Sequence, residues 1–168
     1  MPETLSKETL RWWLYTEDDA ELVRLWRRAD AVRRQTVGDA VHLRGLIEFS
    51  NHCVRDCLYC GLRRSRGNIR RYRMTADEIV EAAAEAHRFG YGTVVLQCGQ
   101  DYGFSTEWLA GVVRRVKAAT PLAVTLSVGE REDEPLRQWR EAGADRYLLR
   151  FDTSNAALYR RIHPPRPE

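Results

Sequence analysis

Four short apolar segments, each separated from the next by a helical pattern, limit the folds open to this chain. They are residues 42–49, 92–97, 122–128 and 145–151. The intervening helices carry end signals, such as the capping box of Thr75 and Glu78 and the stop at Gly90. Strands that are apolar throughout and alternate with capped helices favour parallel βαβ units. The sequence therefore predicts an α/β fold, either a doubly wound sheet or part of a β/α barrel.

Polar residues follow each of the four predicted strands. The first strand leads into a cysteine-rich loop at 49–64, and the other three lead into residues 98–101, 127–130 and 150–154. In both candidate folds the C-terminal ends of parallel strands meet at one edge of the sheet, where ligands bind. We therefore expect a functional site at this edge.

The region before the first strand is predicted to be helical. Residues 5–36 carry apolar side chains at helical spacing with Thr16 as an N-cap, and residues 37–39 break the pattern. We predict an N-terminal helical segment at 1–41, followed by the α/β region at 42–168. A closed β/α barrel needs about eight strands, so the fourth strand is expected to leave an open edge that self-association could cover.

Length and composition exclude several classes of protein. The chain has 168 residues, enough for one domain, and a net charge of +3, too small for a chain built to coat nucleic acid. The N-terminus lacks the basic start and apolar run of a signal peptide. No segment approaches the roughly 18–20 apolar residues of a membrane span. We expect a cytoplasmic protein with no membrane partner, in a compartment where disulfides are rare.

Three of the four cysteines, Cys53, Cys57 and Cys60, lie within eight residues. A structural zinc site needs four ligands, and His52, next to Cys53, is the candidate for the fourth. However, neighbouring residues in a chain seldom bind the same ion. Ordinary buried thiols are a second possibility, although the flanking charged residues are poor core residues. An iron–sulfur cluster is the third, because three thiolates would leave one iron open to a ligand that is not protein.

The spacing C-x3-C-x-aromatic-C, with Tyr59 before the last cysteine, resembles the radical S-adenosylmethionine superfamily. Longer segments resemble the HydE family of [FeFe]-hydrogenase maturases, in that family's order: VGDAVHLRGLIEFSNHCVRDCLYCGLRR, RYRMTADEIVEAA, TVVLQCGQD, VTLSVGE and EAGADRYLLR. The resemblance implies a partial radical-SAM-type β/α barrel of about four parallel strands at 42–168, preceded by the N-terminal helices. Family enzymes are longer, and this chain resembles the N-terminal half of their barrel.

The resemblance also implies a chemistry. Cys53, Cys57 and Cys60 would bind a [4Fe-4S] cluster whose open iron chelates S-adenosylmethionine, and an electron from the cluster would cleave it to methionine and a 5′-deoxyadenosyl radical. The family uses this radical on a cysteine-bound iron carbonyl cyanide precursor to assemble the diiron subcluster of the hydrogenase. Implied partners are a small-molecule or iron-complex substrate, a ferredoxin or flavodoxin reductant and other maturation proteins.

By resemblance, six residues contact S-adenosylmethionine: Tyr59, Cys98, Gln100, Ser127, Arg150 and Asp152. Gln100 stands where the family usually has a glutamate for the methionine ammonium, and its uncharged amide would bind more weakly unless Asp101 compensates. Cys98 is interpreted as a small residue beside the cofactor rather than a fourth cluster ligand. Arg150 would pair with the methionine carboxylate, and Asp152 with the ribose hydroxyls or the ammonium.

Other functions stay open at this stage. The segment Asp-Thr-Ser at 152–154 resembles biotin synthase, so a biotin-synthase-like or other radical reaction is one alternative. A non-catalytic fragment that binds zinc or an iron–sulfur cluster is another.

Residues 61–73 contain six arginines and no acid. Such a segment suits contacts with nucleic acid phosphates. Only Tyr72 is nearby for base stacking, so an anionic substrate or partner, or a solvated loop, is favoured over nucleic acid. The three histidines outside the cysteine loop show no ligand spacing and are assigned no role.

Overall fold

The computed structural model describes residues 5–165. The chain forms two compact units, Met1–Val41 and His42–Glu168. The first unit contains helices α1 (Lys7–Tyr15) and α2 (Asp19–Val37). Its helices have no fully buried side chain. No helix within the described residues is long and apolar enough to span a membrane.

The chain leaves the helical path between α1 and α2, where the sequence predicts one helical region. The sequence predicts Thr16 as the N-cap of α2, but Thr16 is the C-cap of α1 and its N–H donates to the Trp12 carbonyl. The Asp18 carboxylate caps α2 instead, accepting from the amides of Ala20 and Glu21 at 2.8 and 3.3 Å. A carboxylate is the stronger cap because it also complements the positive end of the helix dipole.

The second unit is built on a parallel sheet in the order β1-β2-β3-β4. Its strands are β1 (Gly45–Ser50), β2 (Thr93–Cys98), β3 (Ala123–Ser127) and β4 (Arg146–Tyr147), and its helices are α3 (Ala76–Arg88), α4 (Thr106–Ala119), α5 (Asp133–Glu141) and α6 (Ala156–Ile162). One helix connects each pair of successive strands, and α6 follows β4. This arrangement confirms the predicted α/β fold with four parallel strands.

The core forms where helices α3, α4 and α5 pack with the sheet. Helix α3 begins at the predicted capping box, in which Thr75 and Glu78 satisfy each other's backbone amides. The largest fully buried apolar side chains include Ile79, Leu96, Leu109, Leu122, Leu126 and Trp139. Each contributes on the order of 1.5–3 kcal/mol by leaving water. This packing holds the strand ends, and with them the loops that follow.

Strand β4 is shorter than the sequence predicts. The apolar segment 145–151 contributes only Arg146–Tyr147 to the sheet. The N–H of Leu148 still donates to the Leu126 carbonyl at 2.8 Å. Because β3 ends at Ser127, the residues that follow Leu148 have no neighbouring strand to pair with. The predicted site residues beyond β4 therefore lie in a loop rather than in a strand.

Candidate functional site

The three clustered cysteines lie in the loop between β1 and α3 as half-buried free thiols. The N–H of Cys60 donates to the Cys57 carbonyl at 3.0 Å, which closes a tight turn. The amides of Arg55 and Leu62 donate to the sulfurs of Cys53 and Cys60, both at 3.4 Å. These hydrogen bonds orient two of the three sulfurs within the loop.

Burial raises the pKa of the Cys57 thiol, and the neighbouring Cys53 and Cys60 raise it further, whereas Tyr59 and Arg55 lower it. No group of three or more His, Cys, Asp or Glu side chains within residues 5–165 is arranged to hold a metal ion. The fit of an iron–sulfur cluster therefore rests on donor chemistry. Three free thiols on one loop are the ligand type that such clusters use. Iron would displace the protons that burial retains.

The cysteine loop packs directly on the loop that follows β2. The N–H of Val54 donates to the Gln100 carbonyl at 2.9 Å. A Cβ atom on Gly99 would overlap the His52 carbonyl oxygen and lie 2.6 Å from the Cβ of Cys53. Only glycine allows so close an approach of two backbones. The position of the first cysteine therefore depends on the residue that follows β2.

Gly99→Ala is expected to push the cysteine loop away from β2 and to reduce iron uptake. The added methyl group meets backbone atoms, which yield only by moving the loop, and such overpacking costs about 1–3 kcal/mol. The measurement is iron bound per chain after anaerobic reconstitution. Gly111→Ala is the matched control, because the Cβ position on Gly111 of α4 is open. Full iron uptake by Gly99→Ala would show that the loop adapts without loss.

Two of the predicted cofactor contacts are the last residues of neighbouring strands. Cys98 ends β2, and burial raises the pKa of its thiol to about 12, opposed by the positive charge of Arg131. Ser127 ends β3 and is buried. Both are small side chains at the edge of the sheet where the parallel strands end.

Gln100 is held in place by Tyr102 and Gly129. Its Nε2 donates to the Tyr102 hydroxyl at 2.6 Å. Gly129 has a φ of +84°, and a Cβ there would lie 2.9 Å from the Cβ of Gln100. With the amide nitrogen engaged inside the protein, the amide oxygen is the atom suited to accept from an ammonium group.

Asp101 is a buried structural carboxylate, so it is not available to compensate for the missing charge of Gln100. It accepts from Ser50 Oγ at 2.6 Å, from Arg73 Nε and Nη2 at 2.7 and 2.9 Å, and from the Gly103 amide at 2.8 Å. Burial alone would raise the pKa of Asp101, but these hydrogen bonds hold it well below its usual range. The carboxylate joins β1, the residues just before α3 and the loop after β2.

Tyr59 and Asp152, 93 residues apart in the chain, lie together. The Tyr59 hydroxyl donates to Asp152 Oδ2 at 2.9 Å and lies 2.9 Å from His163 Nε2. The same histidine nitrogen is 3.2 Å from Asp152 Oδ2. Beside this group, the N–H of Leu58 donates to the Ile162 carbonyl at 2.9 Å. Burial and the Asp152 carboxylate raise the pKa of Tyr59.

Sequence reasoning missed two residues that organise this edge. His163 follows α6 without any motif, and only the fold shows that its ring meets Tyr59. Arg131 stacks over the Tyr102 ring at 4.6 Å and donates to the Asp101 carbonyl at 2.6 Å. Its position just after the β3 loop is the only signal in the sequence. Arg150 is exposed, and within the described residues it forms no hydrogen bond or ion pair with the other candidate site residues.

Comparison with known proteins assigns a family. Residues 47–168 match the radical SAM superfamily, where SAM denotes S-adenosylmethionine. The "[FeFe] hydrogenase maturase subunit HydE" of Thermotoga maritima is 47% identical over 95% of this chain and 45% of that protein. The biotin synthase of Magnetococcus marinus is 30% identical over 84% of this chain and 46% of that protein.

Among solved structures, methylornithine synthase (PylB) matches with a TM-score of 0.87 and 31% identity, covering 97% of this chain and 49% of that chain. The likeness confirms the predicted partial β/α barrel. The chain spans about half the length of the curated relatives it matches. Membership of the matched family implies an iron–sulfur cluster and SAM. The cysteine spacing, the parallel sheet and the match over residues 47–168 agree, and the chain belongs to the radical SAM superfamily.

Proposed function

We propose that this chain binds a [4Fe-4S] cluster through Cys53, Cys57 and Cys60 and serves reductive SAM cleavage in [FeFe]-hydrogenase maturation. The observation that supports it most is the three-thiol loop seated against the β2 loop in a chain 47% identical to a HydE subunit over 95% of its length. When bound, the cluster supplies the electron that cleaves SAM to methionine and a 5′-deoxyadenosyl radical.

The residues at the strand ends would bind and orient SAM. The Gln100 amide oxygen accepts from the methionine ammonium, and Arg150 pairs with the carboxylate in a charge-assisted contact. Asp152 accepts from the ribose hydroxyls. Cys98 and Ser127 are small residues at the ends of β2 and β3, and they leave room for the cofactor. Together these groups would hold the sulfonium in one place.

We further propose partners for this reaction: a small-molecule or iron-complex substrate, a ferredoxin or flavodoxin reductant and other hydrogenase maturation proteins. We also propose a cytoplasmic location, because reducing conditions keep the cysteines as thiols. Near the edge formed by β4, Leu149 and Phe151 are 64% and 82% exposed. Self-association is the proposed way to cover them.

The deciding experiment is anaerobic reconstitution with iron and sulfide, followed by reduction and electron paramagnetic resonance with and without SAM. A [4Fe-4S] signal that changes on SAM addition is the expected result, because SAM would occupy the iron that the protein leaves open. Stoichiometric zinc and no such signal would contradict the proposal.

A biotin-synthase-like reaction is the second candidate. It is favoured by the segment Asp-Thr-Ser at 152–154 and by the 30% identity to a biotin synthase. The two candidates differ in product. Mass spectrometry would detect sulfur inserted into the biotin precursor by the reconstituted protein. That product would identify the biotin-synthase-like reaction.

Tyr59→Phe is expected to keep the cluster and weaken SAM binding about fivefold, because Asp152 loses a hydrogen bond of about 1 kcal/mol that positions it. The hydroxyl fixes the ring against Asp152 and His163, whereas the ring itself is retained. The measurement is the SAM dependence of the paramagnetic signal. Tyr72→Phe is the matched control, since its hydroxyl bonds the Glu48 carbonyl instead. Unchanged SAM binding by Tyr59→Phe would show that the Tyr59 hydroxyl plays no part in SAM binding.

A further inference from the structure

Basic charge is concentrated on the cysteine loop and the residues that follow it. Residues 55–73 contain seven arginines and one acid, although the whole chain carries a net charge of only +3. The rest of the chain therefore has more acids than bases. Residues 55–73 therefore carry a local excess of positive charge.

Some of this charge is used inside the protein. Arg73 pairs with the buried carboxylate of Asp101 at 2.7 Å, and Arg55 lies 3.7 Å from Glu130. The guanidinium of Arg71 donates to carbonyls along the loop, those of Asn51, Leu62, Arg63 and Arg66. These contacts make the segment a defined structure rather than a solvated loop.

Three of the remaining arginines, Arg64, Arg66 and Arg70, are exposed. In the part of the chain that the structure describes, none of them forms an ion pair with a carboxylate. The segment's single acid, Asp56, accepts from the amide and hydroxyl of Ser65 at 3.1 and 2.7 Å. These arginines thus present positive charge to solvent from a fixed backbone, and we call them the basic face.

The basic face is adjacent to the cysteines. The N–H and Nη1 of Arg63 donate to the Cys60 carbonyl at 3.3 and 3.1 Å, so the arginine segment begins at the third cysteine. A cavity of about 330 Å³ is lined by Cys53, Arg64, Arg71 and Arg73, among others. An object seated on the basic face would therefore lie beside the cysteine loop.

We propose that Arg64, Arg66 and Arg70 form the docking face for an acidic electron-transfer protein, a reduced flavodoxin or ferredoxin. This inference rests on the proposed function, which consumes one electron per SAM. The donor would lose one electron and the cluster held by the cysteines would gain it, with no bond made or broken at this face. Short-lived redox complexes have small interfaces and rely on complementary charge.

Nucleic acid fits this face less well. Base stacking on aromatic rings supplies much of the affinity for single strands. The one aromatic side chain in the arginine-rich residues 61–73 is Tyr72, whose hydroxyl is bound to the Glu48 carbonyl at 2.6 Å. Tyr72 is 42% exposed but stands alone among the arginines, so residues 61–73 offer more charge than stacking surface.

The test measures the binding of a purified flavodoxin to the full chain. Flavin fluorescence reports the binding, at about 20 and about 200 mM salt. Arg64→Glu/Arg70→Glu is expected to weaken binding about tenfold or more and to flatten its salt dependence. The matched control is Arg44→Glu/Arg114→Glu, which changes the net charge equally at exposed arginines before β1 and on α4. Its binding should stay within about twofold of the unchanged chain.

Three results would overturn the docking face. The first is unchanged flavodoxin binding by Arg64→Glu/Arg70→Glu, and the second is equally weakened binding by the control pair. The third is a labelled single-stranded RNA that binds the chain more tightly than flavodoxin does and no longer binds Arg64→Glu/Arg70→Glu. Dithionite needs no docking, so the variant should cleave SAM with dithionite at the normal rate. If the unchanged chain binds flavodoxin through this face but dithionite drives no SAM cleavage, the proposed function fails while the docking face stands.

Discussion

Alanine at Cys53, Cys57 or Cys60 is expected to remove the iron–sulfur cluster, whereas Cys98→Ala should leave it in place. Each of the three loop thiols would bind one iron, and loss of one exposes an iron that water and oxygen attack. Cys98 is the last residue of β2 and lies outside the cysteine loop. The measurement is iron and sulfide per chain after anaerobic reconstitution, together with the reduced paramagnetic signal.

The four substitutions control for one another because each removes one sulfur from a half-buried position. A general loss of folding would lower iron content in all four and would be visible as lost helical circular dichroism. If Cys98→Ala empties the protein of iron while its fold is intact, Cys98 is a ligand and the three-cysteine assignment is wrong. Full iron content in Cys57→Ala would also contradict it.

Asp101→Asn is expected to destabilise the second unit by about 2–4 kcal/mol and to lower the melting temperature by about 10 °C. The Asp101 side chain is 3% exposed and receives hydrogen bonds from Ser50, Arg73 and the Gly103 amide. Asparagine keeps the shape but loses the charge, and its NH2 group meets donors where an acceptor is needed. The measurement is unfolding by denaturant or heat.

The pH dependence gives the same prediction an independent readout. The pKa of Asp101 in the folded protein lies below its ordinary value of 3.8. Its contribution is therefore fully present above about pH 4 and is lost as the pH falls toward the lower folded value. The unchanged protein should lose stability over this acid range, and Asp101→Asn should lose less.

Asp77→Asn is the control for this substitution. Asp77 pairs with Arg115 across two helices, but its side chain is 86% exposed, and such a surface pair contributes below about 1 kcal/mol. Equal destabilisation by both substitutions would show that burial does not set the strength of the Asp101 contacts.

The fold could be predicted because its signals are local. The capping box at Thr75 and Glu78 and the apolar spacing of α3 depend only on neighbouring residues, and both occur as predicted. The length of β4 could not be predicted, since the apolar residues to Phe151 have strand character but β3 ends at Ser127. Strand length is a property of a pair of strands.

The candidate site likewise has features that are visible in the local sequence and features that depend on the fold. The cysteine spacing is visible in eight consecutive residues, so the sequence alone is enough to predict three cluster ligands, which stays a prediction. The role of Asp101 depends on Arg73 and Ser50, which are distant in the sequence and lie beside it because β1 and β2 pair. The contact of His163 with Tyr59 likewise depends on where α6 ends. Such side-chain partners carry no periodic signal.

The contacts of Arg71 have a consequence for the evolution of the loop that carries the cysteines. Its Nη1 and Nη2 donate to the carbonyls of Leu62 and Arg63, both at 2.8 Å. Surface loops usually tolerate insertions and deletions. Here the Arg71 guanidinium bonds carbonyls at the start of its own segment. An insertion or deletion between residues 62 and 71 would therefore break several hydrogen bonds at once. We expect this segment to keep its length across related sequences.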